Sequence, residues 1–170
     1  MSARRTRLLA TAGSLAAAVV GGVATDPDSR WFRGLAKPAW YPPPQAFGIV
    51  WTALYAGIAW ASGEALAQGA GPSFGRAYAA NLALNTAWSP LFFRAHRPWL
   101  AAAESAVLTA SSVDLARRAA RVSGPAAAVL VPYAGWTAFA TALTVAIARR
   151  NRRATPAAQA AGGASTWSMM

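Results

Sequence analysis

The chain alternates between long apolar stretches and short gaps that hold nearly all of its charge. The apolar stretches run from about Leu8 to Thr25, Phe47 to Ala67, Tyr78 to Phe93, Pro98 to Ala116 and Pro125 to Ala148. A soluble amphipathic helix would stripe its charges at a period of about 3.6 residues. Here Arg4, Arg5 and Arg7, then Arg94 and Arg97, then Arg117, Arg118 and Arg121, then Arg149, Arg150, Arg152 and Arg153 each flank an apolar stretch instead. Runs of roughly 17–25 such residues suffice to cross a bilayer as helix, and Arg at their ends suits lipid headgroups. The pattern predicts an all-α integral membrane protein, a bundle of five transmembrane helices over about 8–25, 47–67, 78–93, 98–116 and 125–148. Residues 1–150 then form one unit. Pro98 and Pro125 stand where a helix accepts proline, in its first turn, and short connections make consecutive helices antiparallel neighbours. Residues 151–170, rich in Ala, Gly, Ser and Thr without periodicity, read as a mobile tail.

The first stretch shares features with a cleaved signal peptide: an Arg-rich start, small residues near Ala24 and an Arg4-Arg5 pair similar to a twin-Arg signal. Its length and the apolar stretches after it favour a retained helix. Residues 26–46 break the pattern, with Trp31, Phe32, Trp40 and Tyr41 set among Arg30, Arg33, Lys37 and the run Pro42-Pro43-Pro44. Consecutive prolines exclude regular helix, and aromatics mixed with cations suit a membrane–water interface.

Composition narrows the chemistry. A formal net charge of +11 is compatible with nucleic-acid binding, but the basic residues form separate groups at stretch ends and no continuous basic face. A bilayer is the expected partner and nucleic acid is not. Cysteine is absent, which removes disulfides, thiol catalysis and Cys-based metal sites. With His96 the one histidine, no metal site and no required cofactor are expected. No Ser/His/Asp arrangement or phosphate-binding glycine loop appears, so no catalytic residues are assigned. The ionisable residues Glu64, Glu104 and Asp114 fall in the apolar stretches, Glu104 farthest from an end. Basic residues divide almost evenly between the two sides; the Arg-rich end of the last stretch places the C-terminus on the cytoplasmic side, in the cell membrane.

Helical spacing sorts the remaining polar and aromatic residues into faces. Asn81, Asn85, Trp88 and Phe92 share one side of the third stretch. Amides in hydrocarbon need partners, so this side faces the bundle interior. Ala79, Ala83 and Ala87 point nearly the opposite way, a small-residue surface suited to close approach of a second copy, hence a homodimer. Phe47, Trp51 and Tyr55 stack on one face of the second stretch, and Tyr133, Trp136 and Ala140 share a face of the fifth with Phe139 at its edge. Ser89-Pro90 and Val131-Pro132 interrupt backbone bonding within stretches three and five. Three aromatic faces with a cationic loop above them would suit a flat apolar ligand bearing carboxylates, which Arg30, Arg33 or Lys37 would meet. Periodicity alone favours packing over a site.

The same residues carry a resemblance. Trp31-Phe-Arg-Gly-Leu-Ala-Lys37-Pro38-Ala-Trp40-Tyr-Pro42-Pro43, Phe47-Gly-Ile-Val-Trp51-Thr-Ala-Leu-Tyr55, Leu84-Asn85-Thr-Ala-Trp88-Ser-Pro-Leu-Phe92-Phe93 and Val131-Pro132-Tyr133-Ala-Gly-Trp136-Thr-Ala-Phe139-Ala140-Thr141 together resemble the translocator protein family (TspO/MBR, tryptophan-rich sensory proteins), over about residues 8–150. The resemblance implies a five-helix bundle that often dimerises, with a pocket under the loop after the first helix. It also implies binding of porphyrins such as protoporphyrin IX and of synthetic isoquinoline or benzodiazepine ligands. Carried over by position, the resemblance implies a pocket of Trp31, Trp40, Trp51, Asn85, Trp88, Phe92, Trp136 and Ala140; with Lys37 of the loop and Phe47, Tyr55 and Phe139 of the aromatic faces, these make the expected ligand-binding set. This reverses the preference for packing. The chain departs from the family at Leu143-Thr144, where Leu-Asn is usual, and it lacks a Tyr shortly before Arg149, so cholesterol is not expected as ligand. The implied function is a membrane receptor or sensor for tetrapyrroles, acting in porphyrin handling or stress response. The alternatives are photo-oxidative porphyrin breakdown with Trp51 and Trp136 as redox partners, transport of porphyrins or other amphipathic ligands, or a scaffold without ligand.

Overall fold

The computed structural model describes residues 2–152, and among them there is no strand. Five long helices and one short one follow each other: α1 (Ala3–Ala24), α2 (Arg30–Gly34), α3 (Pro44–Ala67), α4 (Gly71–Ser89), α5 (Pro98–Ala120) and α6 (Gly124–Arg150). Serines start three of them, each hydroxyl accepting a backbone N–H that the first turn leaves unpaired. Ser2 accepts from Arg5 N–H, Ser29 from Phe32 N–H and Ser123 from Ala126 N–H. Proline opens α3, α4, α5 and α6, at positions that lack an intrahelical donor anyway.

Three of the long helices, α1, α3 and α6, are long and apolar enough to cross a membrane by length and composition among the described residues. The other two carry more polar groups, Arg76, Asn81 and Asn85 on α4, and Glu104, Asp114, Arg117 and Arg118 on α5. Helix α4 begins seven residues before the expected 78, at Gly71, because Pro72 and Gly75 sit in its first turns rather than in a loop. Gly69 and Gly71 adopt positive φ of 91° and 75°, a conformation open to glycine at little cost, and this lets residues 68–70 reverse the chain.

The helices close into a ring in which α1 packs on α3, α3 on α6, α6 on α5, α5 on α4 and α4 on α1. The expectation that consecutive helices are neighbours fails once. Helices α3 and α4, despite their short connection, barely touch because α1 lies between them. Its small inward residues Ala10, Ser14, Ala17 and Gly21 are buried. Tyr78 donates to the Ala10 carbonyl at 2.6 Å, and the Ser14 hydroxyl lies 2.7 Å from the Tyr78 oxygen, which it can therefore reach as donor.

Pro90 has no N–H to give, and α4 ends by widening into a π turn over Pro90–Arg94, with Ala95 N–H reaching the Pro90 carbonyl at 2.9 Å. By contrast α6 runs through Pro132. Residues 153–170, most of the expected tail, lie outside the described residues, whereas Asn151 and Arg152 are part of the folded end. The Arg152 guanidinium lies 5.5 Å from the Trp99 ring.

Candidate functional site in the helix ring

The ring encloses a cavity of about 850 Å3 toward the end where α1, α4 and α6 finish and the 26–46 loop crosses. Two apolar clusters frame it. One, around Ile58, Leu115, Leu130 and Tyr133, fills the opposite half of the bundle. The other gathers Phe32, Phe92, Phe93, Leu143 and Ile147 beneath the loop.

The loop is held as a cover. Helix α2 buries Phe32, whose ring lies 5.2 Å from that of Phe93 and 6.1 Å from that of Phe92. The Lys37 ammonium folds back onto this turn. It donates to the carbonyls of Phe32 at 2.8 Å and Leu35 at 3.3 Å, and sits 4.5 Å from the Phe32 ring centre. Tyr41 borders the cavity too, and burial raises its phenol above the usual tyrosine range, so it is a neutral hydrogen-bonding group here. Arg33 and Asp28 complete the charged rim. Arg33 is exposed and has no carboxylate within ion-pair distance among the described residues.

From Tyr55 and Asn85 in the cavity wall, a connected chain of polar groups runs into the bundle. The Tyr55 hydroxyl donates to Asn85 Oδ1 at 2.5 Å, and Asn85 Nδ2 donates to the Tyr133 hydroxyl at 3.0 Å. Tyr133 donates to Asn81 Oδ1 at 2.8 Å, and Asn81 Nδ2 reaches the hydroxyls of Ser111 and Ser112, each at 3.1 Å. Four helices are joined by this chain. In a membrane such interhelical bonds contribute on average about 0.6 kcal/mol each. The indole N–H groups of Trp88 and Trp136, both in cavity-lining residues, are buried without a partner.

Nine of the sequence-derived site residues border this cavity: Lys37, Phe47, Trp51, Tyr55, Asn85, Trp88, Phe92, Trp136 and Ala140. Three do not. Trp31 lies outside the wall, stacked on His96 at 4.2 Å and set edge-on to Phe92 at 5.4 Å. Trp40 packs against Phe139 at 5.8 Å, and Phe139 in turn against Trp136 at 5.1 Å. These three form an outer aromatic layer behind the wall. Ala79 and Ala83 are exposed and Ala87 half-buried, beside a shallow outer groove that α4 shares with α1. The Thr144 hydroxyl, at the position that departs from the family pattern, donates to the Ala140 carbonyl of its own helix at 2.7 Å. Glu104 is half-buried on α5 and borders no part of the cavity; neither carboxylate oxygen has a hydrogen-bond partner. No three His, Cys, Asp or Glu residues among those described gather as metal ligands.

The TspO/MBR family model matches residues 10–150. This chain belongs to the TspO/MBR family. Among its relatives, the human translocator protein is 34% identical over 128 residues, 72% of this chain and 75% of its own. The tryptophan-rich protein TspO of Chlorobaculum tepidum is 33% identical over 146 residues, 81% of this chain and 90% of its own. The tryptophan-rich sensory protein of Cereibacter sphaeroides is 34% identical over 131 residues, 76% and 82% of the two chains. Family membership and the apolar helices make this an integral membrane protein.

Sequence reasoning missed much of the wall. Helix α1 contributes Ala18, Gly21 and Gly22, its C-cap contributes Thr25, and α5 contributes Ser105 and Leu108. In an Ala-rich family member no aromatic or charged residue flags such positions. Asn151 was missed as well, though a lone Asn just past an Arg-rich helix end is a plausible capping residue.

Proposed function

We propose that this protein is a membrane receptor or sensor for tetrapyrroles such as protoporphyrin IX, held in the aromatic cavity, with a role in porphyrin handling or stress response. One observation carries the reading: a cavity of about 850 Å3 walled by Trp51, Trp88, Phe92 and Trp136, with Arg33 and Lys37 at its rim. That volume lies within the roughly 300–1,000 Å3 of small-molecule sites. Offset and edge-to-face contacts with a macrocycle would come from the walls, and charge-assisted bonds to its carboxylates from the rim. Trp31, Trp40 and Phe139 support the wall from behind. All five long helices cross the bilayer in this reading, with α4 and α5 turning their polar groups inward, and the C-terminus is cytoplasmic. The exposed Ala79 and Ala83, with Ala87, form the homodimer face.

The test is a titration of the purified protein with protoporphyrin IX, following tryptophan quenching in the native chain and in Trp136→Phe. Saturable quenching, weakened by the substitution with the fold intact, supports the reading. Quenching that never saturates, or that ignores the substitution, refutes it.

A second reading is favoured by the placement of both Trp51 and Trp136 in the wall. Photo-oxidative breakdown of the bound porphyrin would use them as redox partners, with dioxygen as oxidant. A product with an altered absorption spectrum, formed only in light and only with both tryptophans present, would distinguish it from binding alone.

A further inference from the structure

Helices α1 and α3 run side by side in opposite directions, and their seam is not uniform. At one end a Cβ built on Gly63 would lie 3.1 Å from the Arg7 Cα and 3.5 Å from the Ala10 side chain. The Arg7 guanidinium also reaches Glu64 there, at 2.9 Å. The two backbones touch. Fifteen residues along α1 from Arg7 and fifteen back along α3 from Gly63, toward the loop end, stand Gly22 and Gly48. At both of these a Cβ would meet nothing within 4 Å, both are exposed, and both border the cavity. The seam therefore opens toward the loop end, and the opening reaches the cavity. Its outer edge is apolar: Val23 is 74% exposed and Ile49 is 71% exposed, as expected of side chains that face acyl chains.

The neighbouring seam, between α3 and α6, is closed at this level. Phe47 lies 6.0 Å from Trp136, and Trp40 and Phe139 back that pair from outside. Above, the Asn151 amide ties the loop to the end of α6. Of these boundaries, the one made of hydrogen side chains alone is the one between Gly22 and Gly48.

We infer that the cavity opens sideways into the bilayer between Gly22 and Gly48, and that a flat apolar ligand enters from the lipid by this gap rather than from water beneath the loop. The inference concerns access to the cavity and rests on the tetrapyrrole reading only for what enters. A lipid-dissolved ligand arrives with its apolar faces already out of water, and the charged rim then meets its carboxylates at the headgroup level.

The chain has no cysteine, so Ala140→Cys places a single thiol in the cavity wall. In vesicles this thiol is labelled either by a lipid-dissolved pyrenyl maleimide or by a water-soluble anionic maleimide. Plugging the gap with Gly22→Leu and Gly48→Leu is expected to slow the lipid-borne reagent about tenfold and to leave the anionic one unchanged. Both residues are helical with open space at the Cβ, and Gly48→Phe alone serves as a second plug if the double variant does not fold. Lipid-borne labelling that ignores the plugs overturns the inference. Equal slowing of both reagents also overturns it, since the cavity has then collapsed. Protoporphyrin IX quenching is measured on the same samples. Failure of saturable binding would remove the tetrapyrrole reading and leave the gap to stand on the labelling rates.

Discussion

The side-chain amide of Asn151 pairs with both backbone polar groups of Ala36. Its Oδ1 accepts from the Ala36 N–H at 3.0 Å and its Nδ2 donates to the Ala36 carbonyl at 3.0 Å. The same Nδ2 also donates to the Ile147 carbonyl at 2.8 Å, so the end of α6 and the loop over the cavity are fastened by one side chain.

Asn151→Ala should therefore loosen the cover without unfolding the ring. Losing two partly exposed hydrogen bonds costs about 1–2 kcal/mol, which raises the population of the open loop roughly 5- to 30-fold. Trypsin should then cut faster after Arg30 and Arg33, and bound protoporphyrin IX should dissociate faster. Unaltered cleavage and dissociation would show that the loop is held by its aromatic packing instead.

Arg33→Gln should separate charge from shape at the rim. Arg33 has no carboxylate partner among the described residues, so its removal leaves no buried charge behind. Affinity for protoporphyrin IX should fall about 3- to 10-fold and the gap should narrow with added salt. The dimethyl ester, which lacks carboxylates, should bind both proteins alike. An equal loss for acid and ester would mean that Arg33 acts through the fold.

Asn85→Leu removes the amide that joins Tyr55 to Tyr133 and leaves both hydroxyls short of a partner. Stability should drop by about 1–3 kcal/mol, with part regained in Asn85→Leu combined with Tyr55→Phe, because deleting both partners costs less than orphaning one. Unfolding in mixed micelles measures both. A double variant less stable than the single one would remove the hydrogen-bond chain as the cause.

The two ends of the α1–α3 seam should respond differently to added volume. Gly63→Leu forces side-chain atoms toward the Arg7 backbone and should destabilise by about 1–3 kcal/mol. Gly48→Leu meets open space and should leave the thermal midpoint unchanged or slightly raised. Similar midpoints for the two variants would contradict the wedge shape of the seam.

The sequence made the faces legible but not their depth. Asn85, Trp88 and Phe92 fall on one helical face, and two amides in an apolar helix can only look inward, so their placement followed from period and solvation. Trp31, Trp40 and Phe139 carry the same chemistry one layer further out. Trp31 and Trp40 were expected in the wall from the resemblance and Phe139 from the edge of a helical face, and neither a motif position nor a periodicity assigns distance from the cavity. The contribution of α1 was invisible because Ala18, Gly21 and Gly22 act by being small. The start of α4 was placed late because Gly71, Pro72 and Gly75 are residues of loops as often as of first turns, and only tertiary packing decides between the two.

The winding order of the ring has a consequence for biosynthesis. Helices α3 and α5 meet only slightly until α6 enters between them, and α6 supplies Trp136, Thr137, Ala140 and Leu143 to the cavity. Without α6, helices α1 through α5 would form an open horseshoe. The chamber needs the last helix to close it, so a product truncated before α6 should lack the chamber altogether.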